Sequence, residues 1–145
     1  MAIISIDDIL AEGIDSETLI KITDKENLGI VNEVAVNGKI SGVCGSIEDL
    51  LRARYTIPLN PVPAIIRGIA IKQSVYEIYG LNQNFPRPES VKDDYANATK
   101  LLTAISKGDI KLGAPDLSGT VVAAPNTAFI SSSPRLMGRD RLRDC

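Results

Sequence analysis

Histidine is absent from the 145-residue chain, and the two cysteines, Cys44 and Cys145, lie far apart. The chain therefore lacks the side chain that most often moves protons near neutral pH, and with it the Ser–His and Cys–His nucleophile pairs. It also lacks the commonest zinc ligand, and the cysteine spacing predicts neither a metal knuckle nor a disulfide framework. We expect no cofactor, a reducing compartment, and a buried, unreactive Cys44.

Sequence motifs of catalysis are also missing. The patterns GxGxxG, GK[ST], HExxH and GxSxG do not occur. Residues 24–29 have the glycine of a calcium loop, but Leu28 and Ala35 stand where that loop needs carboxylates. Lys72 and Ser74 are two positions apart on a predicted helix, so they point in different directions. The protein is predicted not to be an enzyme.

Long apolar runs are few. No stretch approaches the roughly 20 apolar residues that span a bilayer, and no charged and then apolar leader opens the sequence. We therefore expect neither membrane insertion nor secretion. Apolar residues make up 44% and charged residues 23% of the chain, which is ordinary for a globular protein with one modest core.

Charge is distributed unevenly along the chain. Residues 1–50 carry three basic and ten acidic side chains, a net charge of −7. Residues 51–112 carry nine basic and five acidic side chains, a net +4, and residues 113–145 carry a net +1. Such a polar subunit suits head-to-tail packing or a one-sided partner better than general nucleic-acid binding.

Two short helices are predicted at the start of the chain. Residues 5–8 have the pattern of a capping box, with Asp8 in place of the usual Glu, and Gly13 ends the helix that follows. Ser16 is predicted to cap a second helix over residues 17–23, which a polar turn at 24–29 follows.

A longer third helix is predicted from Asn32 to about Arg54, because apolar residues recur there at steps of three and four. Gly38, Gly42 and Gly45 form a stripe beside that apolar face. Each glycine costs about 1 kcal/mol relative to Ala in a helix interior. Either another helix approaches closely at this stripe, or the third helix is shorter or kinked. We favour close helix packing.

Prolines interrupt the helical pattern over residues 55–63, which are predicted to form a stiff extended connector. Pro63 is predicted to begin a fourth helix over residues 64–79, which is apolar almost all round and should be the most buried element. Pro88 is predicted to open a fifth helix that Gly108 ends. The fold class is therefore all-α, a small bundle of about five helices in residues 1–112.

Residues 113–145 are predicted to form a long extended C-terminal tail. Ordering each residue costs about 1–2 kcal/mol of backbone entropy, and this segment has few apolar side chains to offset that cost. We expect the tail to dock onto other chains, because its end combines apolar anchors with arginines that can bind carboxylates. The residues assigned to docking, on the portal or on a neighbouring subunit, are Phe129, Arg135, Leu136, Met137, Arg139, Arg141, Leu142 and Arg143.

Several segments occur together and in order. They are Leu19–Asp24, Arg54-Tyr55-Thr56-Ile57-Pro58-Leu59, Val62-Pro63 before an apolar helix ending in Tyr79-Gly80, Tyr95-Ala96-Asn97-Ala98 before Leu101-Leu102 and Lys107-Gly108, and the terminal Ser-Pro-Arg…Arg-Asp-Arg-Leu-Arg. In these segments the chain resembles the small head proteins of Mu-like phages, which are related to the head–tail connector (head-completion) proteins of tailed phages. The connector loop with Arg54, Tyr55, Pro58 and Leu59 and the basic C-terminus carry the most specific part of the resemblance.

The resemblance implies a structural virion protein, with residues 1–112 as a helical connector domain and residues 113–145 as its docking tail. The subunits would form a homo-oligomeric ring, commonly of twelve, beneath the portal protein. The ring would extend the DNA channel, with DNA passing through without sequence-specific binding, and would offer a surface to a tail-side neck or tail terminator protein. The implied location is the neck of the virion, and the host cytoplasm during assembly.

The alternative is a helical nucleic-acid-binding module of the packaging machinery, with the first two helices as a helix-turn-helix. The charge of −7 on residues 1–50 argues against it, because phosphate binding needs clustered Lys and Arg. Tyr76, Tyr79 and Tyr95 are interpreted as core aromatics rather than a base-stacking platform, since no basic stripe interleaves them.

Overall fold

The computed structural model describes residues 3–24 and 27–114. In chain order these residues form the helices α1 (Ile6–Glu12), α2 (Ser16–Thr23), α3 (Glu33–Arg52), α4 (Ala64–Tyr79) and α5 (Glu89–Lys107). The prediction of an all-α fold with five helices is confirmed. Nearly the whole predicted tail lies outside the described residues, and the division at residue 112 remains a prediction.

The first two helices begin at side-chain caps. At α1 the backbone N–H of Ser5 donates to the Asp8 carboxylate at 2.8 Å, and the Asp8 N–H donates to the Ser5 hydroxyl at 3.4 Å, which confirms the capping box. The predicted cap of α2 was wrong by one residue. Asp15 has the extended backbone of an N-cap and accepts a bond from the Thr18 N–H at 3.0 Å, whereas Ser16 is already helical.

Helix α3 begins where the sequence predicted, because the Asn32 side chain accepts a bond from the Ala35 N–H at 3.1 Å. It continues for 20 residues through all three glycines. Our prediction of close helix packing at Gly38, Gly42 and Gly45 is wrong for the described part of the chain, because a Cβ atom added at any of them would meet none of its atoms within 4 Å. The reason is that α3 turns its apolar face to the core, and the glycine stripe lies beside that face.

Helix α4 occupies the centre of the subunit and packs against α1, α2, α3 and α5. Its neighbours cover it on most sides, which explains why its apolar residues are distributed almost all round the helix. One contiguous core joins α4 to the other helices and to Tyr55 and Leu59 of the connector. Cys44 belongs to this core, as predicted, with 2% of its surface exposed.

Helices α4 and α5 begin after prolines and end near glycines. Pro63 and Pro88 take the N-cap position rather than the first helical position. Gly108 ends α5 with a φ of 91°, a left-handed conformation that glycine adopts without steric cost. The predicted bounds of both helices are confirmed, because proline and glycine act locally as start and stop signals.

Candidate functional site

The connector between α3 and α4 fixes the place where the chain leaves the helical domain. The Arg54 guanidinium donates to the Lys107 carbonyl oxygen at 3.4 Å, and the buried Tyr55 hydroxyl accepts a bond from the Leu112 N–H at 3.2 Å. Leu59 is buried in the core, whereas Pro58 is exposed. Two of the four predicted connector residues, Arg54 and Tyr55, therefore hold the end of α5 and the residues that follow it against the end of α3.

The glycine stripe of α3 lines an open groove of about 540 Å³ between α3 and the pair α4–α5. Gly38 and Gly42 form one wall, and Thr99 and Thr103 of α5 stand on the other. The one ion pair at this groove joins Lys39 to Glu77 at 3.2 Å. Gly38 and Gly42 have no side chains to block the α3 backbone. A helix or an extended segment of another chain could therefore approach that backbone closely.

A second surface lies at the other end of α3 and consists of three exposed side chains, Leu28, Ile30 and Val34. Their exposed fractions are 64%, 63% and 84%. We call these three residues the apolar patch. Single exposed apolar residues are ordinary on protein surfaces, but these three line one hollow together, which makes them a candidate contact site. The sequence analysis missed this site because it treated residues 24–29 as a polar turn. Two large apolar residues in and beside that turn, Leu28 and Ile30, could have indicated it.

The turn that carries the apolar patch is held in a defined shape. The Asp24 carboxylate accepts bonds from the N–H groups of Leu28, at 3.0 Å, and Gly29, at 2.6 Å. Gly29 has a φ of 74°, a left-handed conformation that other residues rarely adopt. The patch borders an open hollow of about 860 Å³, and the charged side chains among its described lining residues, Asp24 and Glu33, are both acidic. In the described residues, this surface is thus apolar with a negative border.

The residues weighed for chemistry have structural roles. Lys72 pairs with Asp94 at 3.0 Å, while Ser74 lies in the core, so the two do not form a site. The Asp24 carboxylate binds backbone N–H groups instead of completing a calcium loop. Within residues 3–24 and 27–114, no group of three or more metal-ligating side chains could hold a metal ion.

The aromatic residues of α4 and α5 pack among themselves. The Tyr76 and Tyr95 rings stack with their centroids 4.1 Å apart, and the Arg87 guanidinium lies 4.3 Å from the centre of the Tyr76 ring. Tyr79 is buried beside Phe85, and burial raises the pKa of the Tyr79 hydroxyl. Both faces of Tyr76 are therefore covered, as expected of packing aromatics rather than of a base-stacking platform.

The remaining pKa shifts follow from helix caps and surface ion pairs. Hydrogen bonds from Ser5 to the Asp8 carboxylate, and from Thr18 to the Asp15 carboxylate, lower the pKa of each aspartate. Bonds to Glu17 and Glu89 raise the pKa values of Lys21 and Lys92, respectively. Perturbed groups at a catalytic centre gather in a cleft, whereas these four lie at exposed helix ends.

The predicted docking residues Phe129, Arg135, Leu136, Met137, Arg139, Arg141, Leu142 and Arg143 lie outside the described residues, so their role remains a prediction. None of the five described helices is both long and apolar enough to cross a membrane.

Comparison with known proteins identifies the family. A family model described as "Bacteriophage Mu, Gp36" matches residues 5–131, a span that includes all five helices and the connector. The chain belongs to the bacteriophage Mu Gp36 family. It is also similar to the "Mu-like prophage FluMu protein gp36" of Haemophilus influenzae, with 27% identity over 111 residues that cover 76% of this chain and 74% of that protein. The resemblance to Mu-like phage proteins is thereby confirmed, and the relation to head–tail connectors remains a prediction.

Proposed function

We propose that this Gp36-family protein is a structural subunit of the phage particle, a head–tail connector that forms a ring beneath the portal. In that role it acts through its surfaces rather than through catalysis. The ring would extend the DNA channel and present a surface to the tail-side neck or tail terminator protein. The assembled protein would lie in the neck of the virion.

The apolar patch is the observation that carries this proposal. Leu28, Ile30 and Val34 expose between 63% and 84% of their surface on a turn that hydrogen bonds hold in place. Exposed large apolar side chains on a hydrogen-bonded turn gain stability when another protein covers them. In an assembled ring, a neighbouring protein would cover these three side chains. Assembly would therefore explain why the isolated domain exposes them.

The glycine stripe of α3 supports the same proposal. Gly38 and Gly42 lie on exposed positions of the helix, and no atom of residues 3–24 or 27–114 requires them to lack a side chain. Each costs about 1 kcal/mol of helix stability relative to Ala. Close approach by a neighbouring subunit would explain why α3 carries this cost.

The distribution of charge fits a ring as well. Among the described residues, Arg67 of the basic middle segment pairs with Asp8 of the acidic first segment at 2.9 Å, whereas Lys72 pairs with Asp94 inside the middle segment at 3.0 Å. Residues 1–50 therefore keep an acidic surplus. Segments of unlike net charge favour contacts between unlike surfaces of identical subunits, as in head-to-tail packing.

The test is complementation of a phage that lacks this gene. We expect full-length protein to restore tailed particles, and we expect heads and tails to accumulate separately without it, as counted by electron microscopy. A chain without residues 134–145 should keep its helical circular dichroism but fail to join heads and tails. Tailed particles formed without the protein, or with the truncated chain, would contradict the proposal.

A second measurement addresses the ring and its partner. Purified protein mixed with portal should give a complex whose mass exceeds that of the portal by about a dozen subunits of 15.6 kDa. A salt-sensitive shift of duplex DNA without any portal binding would favour the nucleic-acid-binding alternative instead.

A further inference from the structure

We propose that the apolar patch of one subunit binds the terminal segment, residues 134–143, of a second copy of the chain. This inference rests on the proposed ring-forming function and names the contact that would join neighbouring subunits. The occupant is thus neither the portal nor the subunit's own tail.

The chemistry of the two surfaces is complementary. The patch offers three apolar side chains beside the carboxylates of Asp24 and Glu33. Residues 134–143 contain three apolar side chains and four arginines against a single aspartate. Covering the exposed apolar groups is favourable, and arginine binds carboxylates through paired hydrogen bonds. Outside residues 134–144, no stretch of ten residues in the sequence contains four arginines.

The groove at the glycine stripe is a poorer match for this segment. Its ion pair, Lys39–Glu77, is internally neutral, so the groove has no charge preference for arginines. Apolar side chains occur at both surfaces, since the groove is also lined by Val43, Leu102 and the half-exposed Leu50. The charge of the described lining residues therefore selects the patch.

The positions of the two surfaces allow an exchange between subunits. The patch lies at the start of α3, whereas the bond between Leu112 and Tyr55 holds the outgoing chain at the end of α3. A 20-residue helix spans about 30 Å, so the acceptor surface and the chain exit lie at opposite ends of the domain. In a head-to-tail ring, the exit of one subunit would approach the patch of the next.

The linker is long enough for this exchange. Twenty residues separate Ala114, the last described position, from Arg135 at the start of the arginine cluster. An extended chain covers about 3.3–3.6 Å per residue, so this linker can reach up to roughly 70 Å. Each subunit would donate one tail and accept one, and ring closure would leave no patch uncovered.

Disulfide trapping tests the contact with full-length protein, because the native Cys145 lies two positions after Arg143. A variant with Val34→Cys and Cys145→Ser is mixed with the wild-type chain under mild oxidation. The variant carries a tag, so that the heterodimer and the two homodimers differ in size. We expect heterodimers joined through positions 34 and 145 to exceed both homodimers. Lys100→Cys with Cys145→Ser, an exposed site on α5, is the matched control and should give no such excess.

The other outcomes overturn the proposal. A Val34→Cys chain that keeps Cys145 and forms only an internal disulfide would show that the tail folds back onto its own subunit. Heterodimers no more frequent than in the Lys100→Cys control would show that the tail does not bind the patch. Trapping that appears only after portal is added, and joins Cys145 to the portal rather than to position 34, would assign the tail to the portal.

A charge substitution in the patch gives an independent readout. Ile30→Glu should weaken self-association at least about tenfold, because it removes an apolar contact and adds a charge to the border. Leu10→Glu, an exposed apolar position on α1, is the control and should leave self-association unchanged. Equal effects of the two substitutions would refute the assignment of the patch.

These results can be separated from the test of the proposed function. If trapping fails while complementation still requires the protein, the connector function stands and the tail contact is wrong. If trapping succeeds while heads and tails join without the protein, subunits exchange tails in an assembly of another kind.

Discussion

Replacing Gly38 and Gly42 with alanine should stabilise the isolated subunit. Both lie in the interior of α3, and an added Cβ would meet no atom within 4 Å. Alanine gains about 0.5–1 kcal/mol over glycine in a helix, so the double variant should unfold with a free energy about 1–2 kcal/mol higher. Since 1 kcal/mol moves the midpoint of a small domain by about 4–8 °C, thermal unfolding followed by circular dichroism should resolve the change.

Two other glycines provide matched controls. Gly68→Ala on α4 also places its Cβ in open space and should stabilise the subunit in the same way. Gly13→Ala should destabilise it, because the new Cβ would lie 2.6 Å from Val75 Cγ2 and 2.9 Å from the Ile9 carbonyl oxygen. A loss of stability in the Gly38 and Gly42 variant would refute the interpretation of an open stripe.

A side chain added at the glycine stripe should weaken assembly, although it stabilises the folded chain. Gly42→Gln adds a long side chain with good helix propensity, so the subunit should fold normally while the groove is filled. We expect weaker ring formation by mass photometry, with no such loss for Gly68→Ala. Unchanged ring formation would show that the stripe is not a contact between subunits.

Three further substitutions test the fold. Tyr55→Phe removes the bond from the Leu112 N–H and should lower the free energy of unfolding by about 0.5–1.5 kcal/mol in a urea titration. Ser74→Ala should raise that free energy by about 1 kcal/mol in the same assay, because the buried Ser74 hydroxyl has no hydrogen-bond partner among the residues that the structure describes. Asp8→Asn should destabilise the protein at neutral pH. Folding lowers the pKa of Asp8 below its ordinary 3.8. The ionised Asp8 carboxylate therefore contributes fully to the free energy of unfolding above pH 3.8, and this contribution is lost as the pH falls through the lowered pKa. Stability curves of wild type and variant that stay parallel down to pH 2 would contradict this explanation.

The helices were predictable because their signals are local. The capping box at Ser5–Asp8, Asn32 before α3 and Gly108 after α5 act on the few residues beside them, and apolar periodicity identifies the buried face of each helix. The cap of α2 was misassigned because Asp15 and Ser16 are both good caps, and the sequence does not state which one has extended backbone.

The surfaces were not predictable in the same way. A stripe of glycines indicates close approach, but only the tertiary structure shows that α4 and α5 leave Gly38 and Gly42 open. Likewise, Leu28 and Ile30 could have belonged to the core, and their exposure depends on how the Asp24 turn leaves α2. Burial is a property of the whole packed domain, because it depends on neighbours distant in sequence. The sequence by itself thus determined which helices form and, to within about two residues, where they begin and end. The tertiary structure decided which of their faces stay exposed, because exposure depends on how the helices pack.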